Sequence, residues 1–205
     1  MSTTGEAPPI RYSWKESLAY AAFDMIPFYG ILRRVYRDSL ARVDEETRSN
    51  YKTMLDFGGG PGTGILAARD EKSLLPGLRE GLIVDPSRSM WELAVKLNLG
   101  QIDYRNESVE DILQKFREER ESSFGLLWCP SLPKLVQGLE SRQMPQYDIV
   151  NCSLSLSELS NAQAQLITFA LLWRLVAPGG TLIITERGDE AIGQQAIQLV
   201  RSAFI

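Results

Sequence analysis

Apolar residues change their period near residue 50, and the change divides the chain in two. Before it, Leu18, Ala21, Ala22 and Met25 fall at i, i+3, i+4 and i+7, the spacing of one helix face. This helix opens near Ser13, and Pro27 is expected to break or kink it. A second helix is predicted over 28–42, burying Leu32, Val35, Tyr36 and Leu40. Its other side carries Arg33, Arg34 and Arg37, which read as a solvated charged face or, alternatively, as a contact for RNA phosphates. The dozen residues before it, rich in small residues and proline, read as a disordered lead.

From Lys52 onwards, short apolar runs bounded by turn residues alternate with helical patterns. Strands are predicted over 53–57, 81–84, 101–105, 147–152 and 181–186. Helices are predicted over 63–69, 88–99, a stretch from Ser108 to about Phe116, 161–176 and 189–204. Ser87 suits the N-cap of the second of these and Gly100 its C-terminal end. Residues 118–146 carry a charge run and three prolines, and are expected to form an inserted loop with at most one short helix. The organisation is therefore an N-terminal lead with helices over 1–50 and an α/β domain over 51–205 with an insertion near 118–146. Strands spaced by helices imply parallel pairing with right-handed crossovers, hence a three-layer α/β sandwich. In such a sheet, ligands lie beyond the carboxyl ends of the strands where the strand order reverses.

Composition narrows the chemistry. The 205 residues include no histidine, which excludes a Ser-His-Asp triad, Cys-His catalysis and a His-ligated zinc site within the chain. Two cysteines, Cys129 and Cys152, give no disulfide framework. A net charge of −4 argues against non-specific nucleic-acid binding over the whole surface. No apolar run nears the roughly 20 residues of a membrane helix, and no signal or transit peptide is visible at the N-terminus.

The turn after the first predicted strand, Asp56-Phe-Gly-Gly-Gly-Pro-Gly-Thr-Gly64, holds five of the sixteen glycines. A phosphate-cradling Walker loop needs Gly-Lys-Ser/Thr, and no lysine lies between Lys52 and Lys72. The dinucleotide pattern GxGxxG/A also fails, because its last position falls on Thr63 or Ile65. An acid followed by GxGxG remains: Asp56, Gly58, Gly60 and Gly62, with Thr63 opening the next helix. That pattern suits S-adenosylmethionine, whose ammonium a carboxylate can hold and which needs no lysine. Asp85, followed by Pro86, ends the second strand, where a carboxylate accepts two hydroxyl bonds from a ribose. Glu107 and Ser108 follow the third strand, near where adenine would lie, and Asn151 lies at the end of the fourth. The fold class is accordingly a class I S-adenosylmethionine-dependent methyltransferase fold, Rossmann-like, with its last strands apparently lacking.

Several segments together resemble one family. They are Leu18-Ala-Tyr-Ala-Ala22, Leu55-Asp-Phe-Gly-Gly-Gly-Pro-Gly-Thr63, Val84-Asp-Pro-Ser-Arg-Ser-Met90, Leu156-Ser-Glu-Leu159 and Gly179-Gly-Thr-Leu-Ile-Ile-Thr-Glu-Arg-Gly188. They are similar to the methyltransferase-like proteins of the mitochondrial small ribosomal subunit and their bacterial relatives, from about residue 17 to the end. The resemblance implies a factor in assembly or maturation of that subunit in the mitochondrial matrix, with its rRNA, ribosomal proteins and assembly factors as partners and no membrane. It also implies an iron–sulfur cluster, held by cysteines C-terminal to the last helix here; neither Cys129 nor Cys152 is such a ligand. Members usually carry Arg where Asp24 precedes Met25. Because strands are expected after residue 205, one sheet edge is expected to be completed by another segment or chain.

The end of the fourth strand, Asn151-Cys-Ser-Leu154, matches neither the proline-rich run of amino-methylating enzymes nor a Pro-Cys nucleophile. Cys152 reads as a small buried residue rather than a nucleophile, and Glu158 as a base or as a local cap. The residues thus support cofactor binding and identify no catalytic group. The first reading is an assembly factor that holds S-adenosylmethionine as a structural or sensing ligand; the alternative is an active rRNA base methyltransferase.

Overall fold

The computed structural model describes residues 12–97, 101–103, 125–137 and 144–203. Helix α1 (Trp14–Ala19) starts at a capping box in which Ser13 and Glu16 bond each other's backbone. It runs through a π-helical turn, Tyr20–Asp24, into α2 (Met25–Leu40). Pro27 therefore does not end the helix as expected. It sits in the first turn of α2, where a missing N–H and a fixed φ are tolerated, and the π-turn before it absorbs the register change.

The elements that follow are α3 (Glu45–Ser49), β1 (Thr53–Phe57), α4 (Thr63–Arg69), β2 (Glu80–Val84), α5 (Arg88–Lys96) and β3 (Gln101–Asp103). After them come β4 (Gly125–Cys129), α6 (Leu132–Gln137), β5 (Tyr147–Ser153), α7 (Ala162–Arg174), β6 (Val176–Thr185) and α8 (Ala191–Ser202). Every described pairing is parallel, and the sheet order is β3-β4-β2-β1-β5-β6. The order reverses between β1 and β5, so the glycine turn after β1 lies at the switch point. Among the described residues, β6 pairs with β5 alone.

Successive strand residues feed opposite faces, which makes three layers. Met54, Ile83, Leu126, Trp128 and Ile149 join one apolar cluster with Leu32, Tyr36 and Leu40 of α2. Leu55, Leu82, Val84, Leu127 and Val150 join the other with Phe169, Leu172 and Leu175 of α7 and its C-terminal end. The N-terminal helices thus belong to the same core as the sheet.

One stretch corrects the sequence reading. Residues 118–146 were expected to be an inserted loop, yet Gly125–Cys129 is a strand buried throughout and set between β3 and β2. A continuous apolar run, Leu126-Leu-Trp-Cys129, is what a strand covered on both faces requires. The neighbouring charges and prolines hid it. The predicted helix from Ser108 and the end cap at Gly100 lie outside the described residues.

The arginines of α2 are ion-paired, and Arg34 and Arg37 stay exposed to solvent as the charged-face reading expects. Arg33 and Arg37 both reach Glu71, just beyond α4, at 2.5 and 2.9 Å, while Arg34 pairs with Asp38 at 2.7 Å. Tyr29 donates to Asp70 at 2.5 Å beside them. Glu71 is 3% exposed. Burial raises its pKa, but the hydrogen bonds from Arg37 and Arg33 outweigh that and leave it below the usual carboxylate range.

Glu71→Gln is expected to destabilise the protein by about 1–3 kcal/mol, since the partly exposed arginines lose a shared acceptor without becoming deeply buried charges. The lowered folded pKa makes this stabilisation complete above the carboxylate's unfolded value and lost as pH falls through the folded one. Urea unfolding at neutral and acidic pH checks both points: the gap between wild type and variant closes on acidification.

Candidate functional site

A cleft of about 1480 Å³ opens at the carboxyl ends of β1, β2, β5 and β6, with the N-terminal helices as one wall. Asp56 is its buried centre. Leu55 and Phe57 flank it on β1, so alternation sends the Asp56 side chain to the α4 face, where Asn151 is its register partner on β5. Asn151 Nδ2 donates to Asp56 Oδ1 at 2.7 Å. The other oxygen, Oδ2, is buried without a hydrogen-bond partner among the described residues. Burial pushes the Asp56 pKa up to about 7; Asn151 opposes the rise, Asp85 adds to it, and the amides of Ile65 and Gly64 oppose it.

Two glycines left without a task in the sequence acquire one here. A Cβ on Gly59 would stand 2.7 Å from Asp56 Oδ2, and one on Gly64 would stand 2.5 Å from it. Both glycines make room for the carboxylate. Gly58 (φ 64°) has a different neighbour, because a Cβ there would strike Ser155 Oγ. Ser155 Oγ in turn donates to Gly58 O at 3.2 Å and to Ser153 O at 3.0 Å. Gly62, expected to clear space for a ligand, is not in the cleft wall; with φ 92° it turns the chain into α4.

Asp85 ties the loop to β2. Its Oδ2 accepts from Gly60 N at 3.0 Å and its Oδ1 from Ser87 N at 2.8 Å, which leaves further lone pairs on both oxygens. Burial raises its pKa, against the pull of the Ser87 and Gly60 amides. Ser87 caps α5 by accepting from Met90 N. Pro86 also lines the cleft, and Thr63 Oγ1 shares a 3.1 Å hydrogen bond with Tyr20 of the N-terminal helices.

The turn after β5 is held from β6. Glu186 Oε1 accepts from Leu156 N at 2.8 Å and Ser157 N at 3.0 Å, and Oε2 from Ser157 Oγ at 2.7 Å. Leu154, at φ 59°, is a left-handed non-glycine residue whose N–H bonds Thr185 O at 2.7 Å. The Leu-Ser-Glu-Leu and Glu-Arg-Gly segments, two separate marks in the sequence, are therefore one structural unit. Glu158 stands at the mouth of the cleft. Desolvation, then Asp85 and Glu186, push its pKa up to about 7, and Arg187 opposes them. Tyr12 lies among the same charges, with its pKa pushed to about 12, chiefly by burial. Cys152 is fully buried and its thiol is pushed well above its ordinary value, so no thiolate forms there.

Of the residues singled out in the sequence, Asp56, Gly58, Gly60, Thr63, Asp85, Pro86 and Asn151 line this one cleft. Glu107 and Ser108 lie outside the described residues. Asn151 acts on Asp56 rather than standing free, with its Oδ1 accepting from Ser153 at 3.0 Å. Glu186, Ser155 and Tyr20 were given no role by the sequence; an acid and a serine at strand ends were the visible signal. Among the described residues, no three His, Cys, Asp or Glu side chains are grouped to hold a metal ion, and no helix is long and apolar enough to cross a membrane. Cys129 and Cys152 lie on β4 and β5, separated by β2 and β1, and do not fit an iron–sulfur cluster.

S-Adenosylmethionine fits the donor set. A buried carboxylate with one unbonded oxygen would suit its ammonium, Asp85 with lone pairs to spare would suit its ribose diol, and the turn between them carries no side chain at Gly58, Gly59 and Gly60.

Comparison with known proteins agrees with the fold. The family described as mitochondrial small ribosomal subunit Rsm22 matches residues 14–205. No curated protein matches the chain. Among solved structures, a Methanococcus maripaludis protein described as an S-adenosyl-L-methionine-dependent methyltransferase aligns with TM-score 0.53 at 14% identity, over 98% of this chain and 75% of its own. The N-methyltransferase NodS of Bradyrhizobium japonicum, in complex with S-adenosyl-L-homocysteine, aligns with TM-score 0.52 at 12% identity, over 92% of this chain and 84% of its own. An O-methyltransferase family protein of Burkholderia thailandensis aligns with TM-score 0.51 at 17% identity, over 97% of this chain and 59% of its own. The chain likewise spans 58% of a sugar N-methyltransferase from Streptoalloteichus. At these identities the likeness is one of fold: a class I S-adenosylmethionine methyltransferase fold.

Asp56→Asn keeps an acceptor for Asn151 and removes the uncompensated charge. The wild-type carboxylate, with its folded pKa raised to about 7, favours the folded state at acid pH and loses that contribution as pH rises through 7. The variant without ligand is therefore expected to melt higher than wild type at pH 8, by about 2–4 °C for each kcal/mol relieved, with the advantage gone at pH 4. Calorimetric melting across that range checks it.

Proposed function

The chain belongs to the Rsm22 family, and from that premise we propose that it binds S-adenosylmethionine in this cleft and serves assembly or maturation of the mitochondrial small ribosomal subunit, in the matrix and beside its rRNA. The observation that carries the cofactor assignment is the unbonded Oδ2 of Asp56, buried at the switch point of the sheet. A buried carboxylate without a compensating cation is costly, and an ammonium removes that cost. Asp85 receives the ribose, while Asn151 holds Asp56 in place. Thr63 and Tyr20 close the wall beside the loop. Partners of this reading are the subunit's rRNA, its proteins and other assembly factors.

When bound, the cofactor supplies a methyl group on a sulfonium. The end of β5 carries no proline-rich motif and no ionisable thiol, which favours the structural or sensing reading. One observation favours rRNA base methylation as a second reading: Glu158, with a pKa of about 7 at the cleft mouth, suits proton transfer near neutral pH.

Calorimetric titration with S-adenosylmethionine tests the binding. Wild type is expected to bind, and Asp56→Asn and Asp85→Ala to lose at least about tenfold, or 1.4 kcal/mol, in affinity; equal affinities for all three defeat the assignment. Cells lacking the protein, complemented with wild type or Glu158→Gln, separate the two functional readings. The assembly reading expects small subunits restored by both and an rRNA modification map unchanged between them. A modification lost with Glu158→Gln favours the enzyme.

A further inference from the structure

The N-terminal helices carry a face that the rest of the fold leaves open. Between Trp14 and Leu40, Leu18, Ala22, Ile26 and Gly30 form one row of residues four apart, and Ala19, Phe23, Pro27 and Ile31 form the next. All eight are exposed, Phe23 and Ile26 by 77% and 75%, Ile31 and Leu18 by 49% and 46%. Residues four apart are neighbours on a helix surface, so the two rows make one continuous stripe. The outward face of a surface helix ordinarily carries charged and polar residues, yet neither row holds a charged one. Asp24, beside them, lines the cleft instead.

Gly30 points independently to something outside the chain. It lies inside α2, where glycine weakens a helix relative to alanine. Its φ is not positive, and a Cβ there would meet nothing within 4 Å. No turn and no neighbour within the chain calls for the missing side chain; a close approach from outside does.

The stripe complements itself when a second copy lies antiparallel to it. A two-fold axis between Ile26 and Pro27 sets Phe23 opposite the second copy's Gly30, Ile31 opposite Ala22, and Ile26 opposite Pro27. Bulk then meets a hollow on both sides of the axis. The charges that end the stripe follow the same symmetry, with Lys15 opposite Asp38 and Glu16 opposite Arg37. All four are exposed, and Arg37 and Asp38 stay more than half exposed despite their bonds to Glu71 and Arg34. Antiparallel packing brings opposite signs together at both ends, whereas parallel packing sets like on like and Phe23 on Phe23.

We infer that this stripe is an isologous interface between two copies of the chain, packed antiparallel with Phe23 of each copy seated on Gly30 of the other. From Lys15 to Asp38 it runs about 36 Å along the helix axis. One helix wide, it lies at the small end of specific interfaces, where exchanging rather than permanent pairs are found. The inference does not rest on the cofactor reading.

Sedimentation equilibrium of the full chain, from low micromolar to a few hundred micromolar, tests it. The wild type is expected to pass from monomer to dimer over that range. Phe23→Ala and Gly30→Leu are each expected to weaken the dimer by at least about tenfold. Leucine favours the helix itself, so Gly30→Leu is expected to melt no lower than wild type in dilute solution, which separates the interface from folding. Lys15→Glu is expected to weaken the dimer, and Lys15→Glu with Asp38→Lys to restore it. Ile167→Ala, on the outer face of α7 where Ile167 is 54% exposed, is expected to leave it unchanged. A wild type that stays monomeric throughout overturns the inference. So does a dimer that Gly30→Leu leaves intact, one lost equally in Ile167→Ala, or a double charge variant weaker than Lys15→Glu alone.

Discussion

The burial of one carboxylate organises the site. Asp56 sits under the first turn of α4 with one oxygen bonded to Asn151 and the other unbonded. Its side chain occupies volume that Gly59 and Gly64 leave open, so the glycine-rich turn is shaped as much by its own aspartate as by a ligand. Gly58 and Gly60 contribute the positive φ values that wrap the turn back. Their backbone is then fixed from both sides, Gly60 N by Asp85 and Gly58 O by Ser155. The loop is held in shape by the protein's own bonds while Asp56 keeps one buried, unbonded oxygen, an arrangement suited to a ligand that brings a cation.

Around this centre, long-range ties bring distant segments to one place. Glu186, at the end of β6, binds the amides that follow β5, and so fixes Ser155 and the approach to Glu158. Tyr51 donates to Gly179 O at 2.8 Å, and Asp148 accepts from Lys52 N and Thr53 N at 2.7 and 2.9 Å, locking the opposite ends of β1, β5 and β6. Glu71 binds two arginines of α2 and so presses the N-terminal helices onto α4. Tyr20, Asp24 and Phe28, on the helices held there by this clamp and by the shared apolar core, line the cleft.

What the sequence made legible follows from how local each signal is. The end of β1 and the start of α4 were readable because the glycine turn lies between them. Asp56 and Asp85 were readable because strand-end acids after an apolar run have few other uses. Strand β4 was missed although Leu126-Leu-Trp-Cys129 is an unbroken apolar run, since charges and prolines nearby suggested a loop. The pairing of Arg33 and Arg37 with Glu71 lies beyond any periodicity argument, because the partners are 38 and 34 residues apart. The tasks of Gly59 and Gly64 were equally hidden, as they depend on where the Asp56 side chain turns in three dimensions.

Proton release on cofactor binding tests the central claim most directly. If the ammonium of S-adenosylmethionine completes the Asp56 site, binding below pH 7 must drive the proton off a carboxylate whose pKa stands near 7 in the free protein. Titration calorimetry at pH 6 in two buffers of different ionisation enthalpy reads that proton. The account predicts release of close to one proton at pH 6, shrinking as pH rises past 7 and absent in Asp56→Asn. Tight binding with no linked proton at pH 6 would contradict it.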